Sequence, residues 1–329
     1  FWIKVYKFFS LKAYQSKQRL HDDEVPRIGG LIIYLFLSIT AFVTFDSHLL
    51  NIILISALPI IIIGSKEDLF YNTSPKLRLI FMIVGASLFI YLLPNNLPKI
   101  DFPFINQLLS FSILKEVFFI FAILVIINGN NLIDGVNGCM ALTNIIQLIV
   151  LSILASMVGD ILIAELCLML LIPLIIFLIF NFPFGKIFIG DTGAYFYGFA
   201  LSATTIYLFG EYDQLFSWNA VLILIYPSME LLFSFIRKRI FENKSPFTPD
   251  AKHLHSILFR HLAKKLKITN NSFVAVCLLP FISSPLLVYL YFDNLSNIIF
   301  SIFMIFVVYI LVYLYLINLI SKRRFSQFV

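Results

Sequence analysis

Ten apolar runs, each near the length of a membrane helix, constrain this 329-residue chain more than any motif in it. They fall at 28–46, 49–64, 78–93, 113–128, 139–158, 161–182, 187–209, 218–236, 273–292 and 296–319. Hydrocarbon offers no partner for a free peptide group, so such runs are read as helices. Several have only about 16 residues, short for a crossing, and their ends are expected to continue into flanking polar residues. Hydrophobic residues make up 60% of the chain and charged residues 13%, more apolar surface than a water-soluble fold can hide. Disorder, a coiled coil and a disulfide scaffold are excluded. The expected fold is an all-α integral membrane protein, a polytopic bundle of about ten transmembrane helices forming one domain over 1–329. A further span is expected ahead of Phe1, with Phe1–Ser10 as its tail. Cys139, Cys167 and Cys277 lack metal-ligand spacing and read as small core residues.

The formal net charge is +6, and its placement decides what it means. Alternation of ten spans puts 1–27, 65–77, 128–138, 183–191, 237–272 and 320–329 on one side. With Arg78, which opens the run at 78–93, that side holds 22 of the 24 lysines and arginines, leaving only Lys99 and Lys115 for the other. Such a bias marks the lysine-rich side as cytoplasmic. The charge therefore reports topology and the lipid bilayer as partner, and no nucleic acid is expected.

Four polar segments interrupt the apolar pattern, all on the lysine-rich side. They are Gly64-Ser-Lys-Glu-Asp68, followed by Lys76 and Arg78; Asn128 to Gly138; Asn181 to Gly193; and Ser245 to His255, followed by Arg260 and His261. Glu67 and Asp68 alone read equally as a solvated loop pair. Asp134 and Asp191 abut strongly apolar runs, where a carboxylate needs a cation or a water-filled cleft. Glu230 lies inside the run at 218–236 and also needs a partner, for which Arg237, two turns on, is one candidate. Carboxylate and amide oxygens at a membrane surface suit Mg²⁺, which commonly bridges protein carboxylate and substrate phosphate. Nearby lysines, arginines and histidines suit phosphates. No Walker-type loop is present, which argues against an ATP-driven pump. The residues point to phosphoryl transfer at the cytoplasmic face, with one substrate arriving through the membrane.

In order, and together with Pro26-Arg-Ile-Gly-Gly30, these segments resemble the polyprenyl-phosphate N-acetylhexosamine-1-phosphate transferases, glycosyltransferase family 4. That family includes undecaprenyl-phosphate GlcNAc-1-phosphate transferases and phospho-MurNAc-pentapeptide translocase. The resemblance runs from Pro26 to about His261. It implies transfer of a sugar 1-phosphate from a UDP-sugar to undecaprenyl phosphate, with release of UMP, at the bacterial inner membrane. The product would start a cell-envelope glycan such as O-antigen, capsule or teichoic acid. The cofactor implied is Mg²⁺, with Mn²⁺ as a substitute, and a homodimer is left open.

By the same resemblance, Glu67 and Asp68 match the family's Asp-Asp pair, and Lys76 the lysine after it. Asn128, Asn131 and Asp134 match its Asn-x-x-Asn-x-x-Asp signature, with Asn137 close behind. Asp191, with Asn131, matches the metal ligands. Asp250, His253 and His255 match the histidine loop of the GlcNAc-type branch. The implied roles are catalytic for Asp68, Glu67 and Asp134, substrate-binding for Lys76, Asn128, Asn137, His253 and His255, and metal-binding for Asn131 and Asp191. Four positions depart from the pattern: Glu67 and Glu230 stand where Asp is usual, Asn137 where bacterial members often have Asp, and Ser256 where a histidine is usual. They bear on the donor sugar more than on the reaction. The alternatives carried forward are a pentapeptide translocase and, outside enzymes, a secondary transporter whose ion site is built from the same acids.

Overall fold

The computed structural model describes residues 25–44, 48–245, 248, 250–268, 270–291 and 294–325; the expected tail at Phe1–Ser10 lies outside them. The described residues form helices and no strand. In chain order they are α1 Gly29–Thr44, α2 His48–Phe70, α3 Pro75–Leu92, the short α4 Pro103–Leu108, α5 Ser112–Ile133, α6 Cys139–Met157 and α7 Ile161–Asn181. There follow α8 Gly190–Glu211, α9 Ser217–Ile223, α10 Ile225–Ile236 with a π-helical turn Arg237–Phe241, α11 Leu254–Leu266, α12 Ser272–Ile282, α13 Ser284–Tyr291 and α14 Leu295–Phe325.

Each apolar run is a helix or a helix pair, but among the described residues seven segments are long and apolar enough to cross a membrane: α2, α3, α5, α6, α7, α12–α13 and α14. The α9–α10 pair makes an eighth candidate, bent by 76°. Two short runs extend as expected into polar sequence. Gly64–Asp68 closes α2, and Asn128–Ile133 closes α5, so both motifs ride on helix ends rather than in loops.

The bend between α9 and α10 has a local cause. Pro227 has no N–H to give to the Ile223 carbonyl four residues back. Gln147 Nε2 donates to that carbonyl instead, at 3.0 Å, and the Ser228 hydroxyl donates to Leu224 O at 2.6 Å. A broken helix survives at membrane depth only when its freed carbonyls find such partners.

Helix α8 is long enough to span but too polar to qualify, because protein surrounds it instead of lipid. Nineteen of its 22 residues are buried, and α1, α2, α5 and α6 pack around it. Small residues allow that closeness. A Cβ on Gly30 of α1 would lie 2.1 Å from Gly193 N of α8. At the periphery, α3 and α14 leave most of their surface uncovered. Cys277 of α12, expected in the core, is exposed, a placement that a thiol tolerates in an apolar surround. Cys139 and Cys167 are buried.

The α1–α8 crossing yields the first prediction. Gly30→Ala forces backbone apart rather than a flexible side chain. It should cost about 1–3 kcal/mol, as overpacking typically does, and show as a lowered melting temperature of the purified protein. An unchanged melting temperature would mean that the two helices do not cross here.

Candidate active site

Helix α8 begins inside the bundle, so its first peptide N–H groups need partners other than bulk water. Asp68, in the last turn of α2, supplies them. Its Oδ1 accepts from Asp191 N at 2.8 Å, and its Oδ2 from Thr192 N at 2.9 Å and from the Thr192 hydroxyl at 2.7 Å. Gly190, at φ +73°, admits the carboxylate: a Cβ there would lie 2.4 Å from Asp68 Oδ2. The neighbouring acid has a separate task. Glu67 accepts from Thr73 N at 2.9 Å and from the Thr73 hydroxyl, closing the loop between α2 and α3.

Asp191 stands in the first turn of α8, where the helix dipole favours an anion. Its Oδ2 accepts from the Tyr195 hydroxyl at 2.8 Å and from Arg78 Nη1 at 3.2 Å, and its Oδ1 from Asn131 Nδ2 at 3.3 Å. Arg27 bridges the two acids, 3.8 Å from Asp68 Oδ1 and 3.9 Å from Asp191 Oδ1. Backbone pairing holds it there: Phe188 N donates to Pro26 O at 3.0 Å, and Gly29 N donates to Phe188 O at 3.1 Å. Burial opposes the charge on Arg27, but Asp68 and Asp191 outweigh it and keep the guanidinium protonated. Arg78 enters from the start of α3, a helix that opens on Pro75 with the Ser74 hydroxyl accepting from Leu77 N.

Asp134 caps the end of α5. Burial, reinforced by Asp191 and Asp68, raises its carboxyl well above the usual range, against the pull of Arg27. Arg27 is therefore shared among three acids while Arg78 holds Asp191, and Asp134 is the acid left to favour a proton or an added cation.

Beyond Asp134, the loop to α6 is stapled from both sides. Asn137 Nδ2 donates to Pro183 O at 3.2 Å, and Gly138 N donates to Asn181 Oδ1 at 2.7 Å. The loop abuts His255, whose ring stacks on His253 with centroids 5.7 Å apart and planes 7° apart.

The structure thus brings together Asp68, Asn131, Asp134 and Asp191, and places His253 and His255 at the edge of the cluster. Asn137 fastens a loop. Asn128 donates to Leu124 O of its own helix at 2.8 Å and to Met82 Sδ of α3 at 3.6 Å, facing away from the acids' hydrogen bonds. Lys76 is exposed in the first turn of α3, and it is Arg78, two residues on, that reaches Asp191. The candidate pairing of Arg237 with Glu230 is overturned. Arg237 binds Glu242 at 2.7 Å and Asp250 at 2.9 Å, and Glu230 faces His253 instead, because α10 ends in a π-helical turn that carries Arg237 towards the following loop. Arg27, Tyr195 and Thr192 were absent from the expected site. Arg27 had a signal in the Pro-Arg-Ile-Gly-Gly motif; Tyr195, one turn past Asp191, was masked by its apolar neighbours.

These features define a polytopic helical membrane protein with an acid and arginine centre at one end of the bundle. The sequence profile of glycosyl transferase family 4 matches residues 50–209, which contain all three acids and both asparagines of the pattern. That match covers 160 of the chain's 329 residues. A probable undecaprenyl-phosphate N-acetylglucosaminyl 1-phosphate transferase of Bacillus subtilis (strain 168) is 29% identical over 246 residues, 73% of this chain and 67% of that protein. An undecaprenyl-phosphate alpha-N-acetylglucosaminyl 1-phosphate transferase of Thermotoga maritima is 27% identical, covering 76% of this chain and 73% of its own. A phospho-N-acetylmuramoyl-pentapeptide-transferase of Streptococcus uberis is 26% identical, covering 74% and 82% respectively.

One pH dependence follows. Burial lowers His255 from 6.5 to about 4, with His253 and Arg260 acting the same way and Glu230 opposing. Between those values the unfolded chain binds a proton that the folded chain does not, so stability falls as pH drops from 6.5 towards 4. Melting curves across that range should show a shallower decline for His255→Asn than for the parent protein.

Proposed function

We propose that this protein transfers a sugar 1-phosphate, with an N-acetylhexosamine as the sugar, from a UDP-sugar to undecaprenyl phosphate at the cytoplasmic face of a bacterial inner membrane. UMP is released, and the product starts a cell-envelope glycan. The observation that carries this reading is the Asp191–Asn131 contact flanked by Arg27 and Arg78. It sets oxygen ligands beside two guanidiniums, a donor set for a pyrophosphate and its counter-ion. The names of the relatives supply the acceptor lipid and the reaction class.

In the proposed reaction an oxygen of the lipid phosphate attacks the β-phosphorus of the donor. The new phosphorus–oxygen bond forms as the bond to the UMP oxygen breaks. A phosphomonoester has a second pKa of about 6, so the nucleophile is mostly ionised at neutral pH and proton removal contributes little. Positioning and charge stabilisation do most of the work. Arg27 and Arg78, on Asp191 in this structure, are the groups that would turn to the phosphates. Asp68, committed to the start of α8, holds Asp191 in place. Asp134, whose carboxylate carries no such commitment, is the acid left to face the acceptor phosphate.

The residues fit Mg²⁺. No three His, Cys, Asp or Glu side chains among the described residues form a cage. Mg²⁺ does not need one, because it is usually held by one or two carboxylates together with substrate phosphates. Asp191 and Asn131 would hold it, the asparagine through its carbonyl oxygen. When bound, the ion would neutralise charge on the donor's diphosphate and on the departing UMP.

Membranes containing the protein, given undecaprenyl phosphate and a panel of radiolabelled UDP-sugars, should yield lipid-linked sugar and equimolar UMP, and a chelator should abolish the yield. Uptake into vesicles with no lipid product would establish the transporter instead. Cysteines at Asn72 and Asn270 should react with an impermeant reagent only from the cytoplasm, and one at Asn96 only from outside. Asp191→Asn should lose Mg²⁺-dependent donor binding along with turnover, by roughly 10²–10³-fold in rate, the usual effect of one charge-stabilising group. Retained Mg²⁺-dependent binding would remove Asp191 from the metal site.

A further inference from the structure

Glu230 is a carboxylate at 1% exposure in α10, and its Oε1 has no hydrogen-bond partner. A buried, unpaired carboxylate is costly, so its surroundings must compensate. Facing it is His253, the residue that opens α11. His253 Nδ1 lies 3.6 Å from Glu230 Oε2, and His253 Nε2 lies 3.6 Å from Asp250 Oδ1. Both nitrogens are buried without a hydrogen bond. Asp250 is itself fixed, by Arg237 at 2.9 Å and by Lys252 N at 3.1 Å.

The two carboxylates therefore take both polar edges of His253 and leave no nitrogen for a phosphate. Its flat face is engaged too, because His255 stacks on it almost parallel. His255 sits differently. A Cβ on Gly135 would fall 2.2 Å from His255 Nε2, so that nitrogen is pressed against the loop next to Asp134. Both rings are buried, and the pair divides into one histidine between acids and one against the loop beside Asp134.

We infer that Glu230 and Asp250 clamp His253 as a positioning residue, and that His253 sets His255 against the Asp134–Gly135 loop as the histidine that meets the substrate phosphates. The second half of this inference rests on the transferase reading; the clamp does not. Two flanking carboxylates fix a ring's orientation much as carboxylate partners orient histidine ligands in metal sites. The arrangement also gives Glu230 a task that its place inside a helix does not explain.

Two measurements on the full-length protein in membranes test this. In the first, diethyl pyrocarbonate labels histidines and mass spectrometry reads each site. His253 should label at least about tenfold more slowly than the exposed His48, and Glu230→Gln should remove that protection, about what loss of a charged partner entails. Equal labelling of His253 in the parent and in Glu230→Gln overturns the clamp. The second measurement is steady-state transfer. Glu230→Gln and His253→Asn should each lower kcat by about 10- to 100-fold with little change in the donor KM, and the double variant should lose no more than the worse single. Glu230→Asp, which keeps the charge, should recover most of the loss. His255→Asn should raise the donor KM as well. Losses that multiply in the double variant overturn the proposal, since independent sites add in free energy. A parent protein inactive with every donor would overturn the transferase reading, while the labelling experiment still decides the clamp.

Discussion

Everything at the site depends on how the chain satisfies the first peptide N–H groups of α8. A helix whose first turn is buried among other helices turns a positive dipole end and free donors towards a poorly hydrated interior. Asp68 meets both needs with one carboxylate, accepting from two backbone amides and one hydroxyl. That bond ties the end of α2 to the start of α8 and aims Asp191 at Arg27, Arg78 and Asn131. The acid pair at 67–68 is thus divided between closing a loop and starting a helix, and the negative charge available to a substrate comes from Asp134 and Asp191.

The second organising feature is the loop from Asp134 to Gly138. It leaves α5 beside the acids and reaches α6 beside the histidines, so it joins two charged systems from distant parts of the sequence. Asn137 and Asn181 fasten it to the turn after α7. With the loop fixed, the histidines of α11 have a surface to stack against.

Much of this was legible in the sequence, because a hydrocarbon solvent leaves few options. The apolar runs marked the helices, and the charge bias picked out the end of the bundle where the motifs collect. The exceptions have physical causes. Helix α8 reads as a lipid-facing span by length, yet it is wrapped by other helices and carries Gly, Thr and Ser that lipid would penalise. The α9–α10 bend follows from Pro227, but its repair by Gln147 joins residues 76 positions apart. The acids Asp191 and Asp134 were visible because a carboxylate beside an apolar run must have a reason. Arg27 and Arg78 stood in the motifs without an assigned role, since a basic residue on the lysine-rich side needs no explanation until an acid is found opposite it. Likewise Arg237 matched Glu230 in helical spacing and went elsewhere when the helix widened into a π-turn.

The central claim is that Asp68 caps the buried start of α8 and thereby places Asp191. Backbone hydrogen exchange, read by mass spectrometry on peptides that cover Asp191 and Thr192, tests it directly. The parent protein should protect these two amides strongly. Asp68→Ala should release them by about tenfold or more, the loss expected when charged acceptors are removed, and leave the later turns of α8 protected. Unchanged exchange at Asp191 and Thr192 in Asp68→Ala would contradict the account.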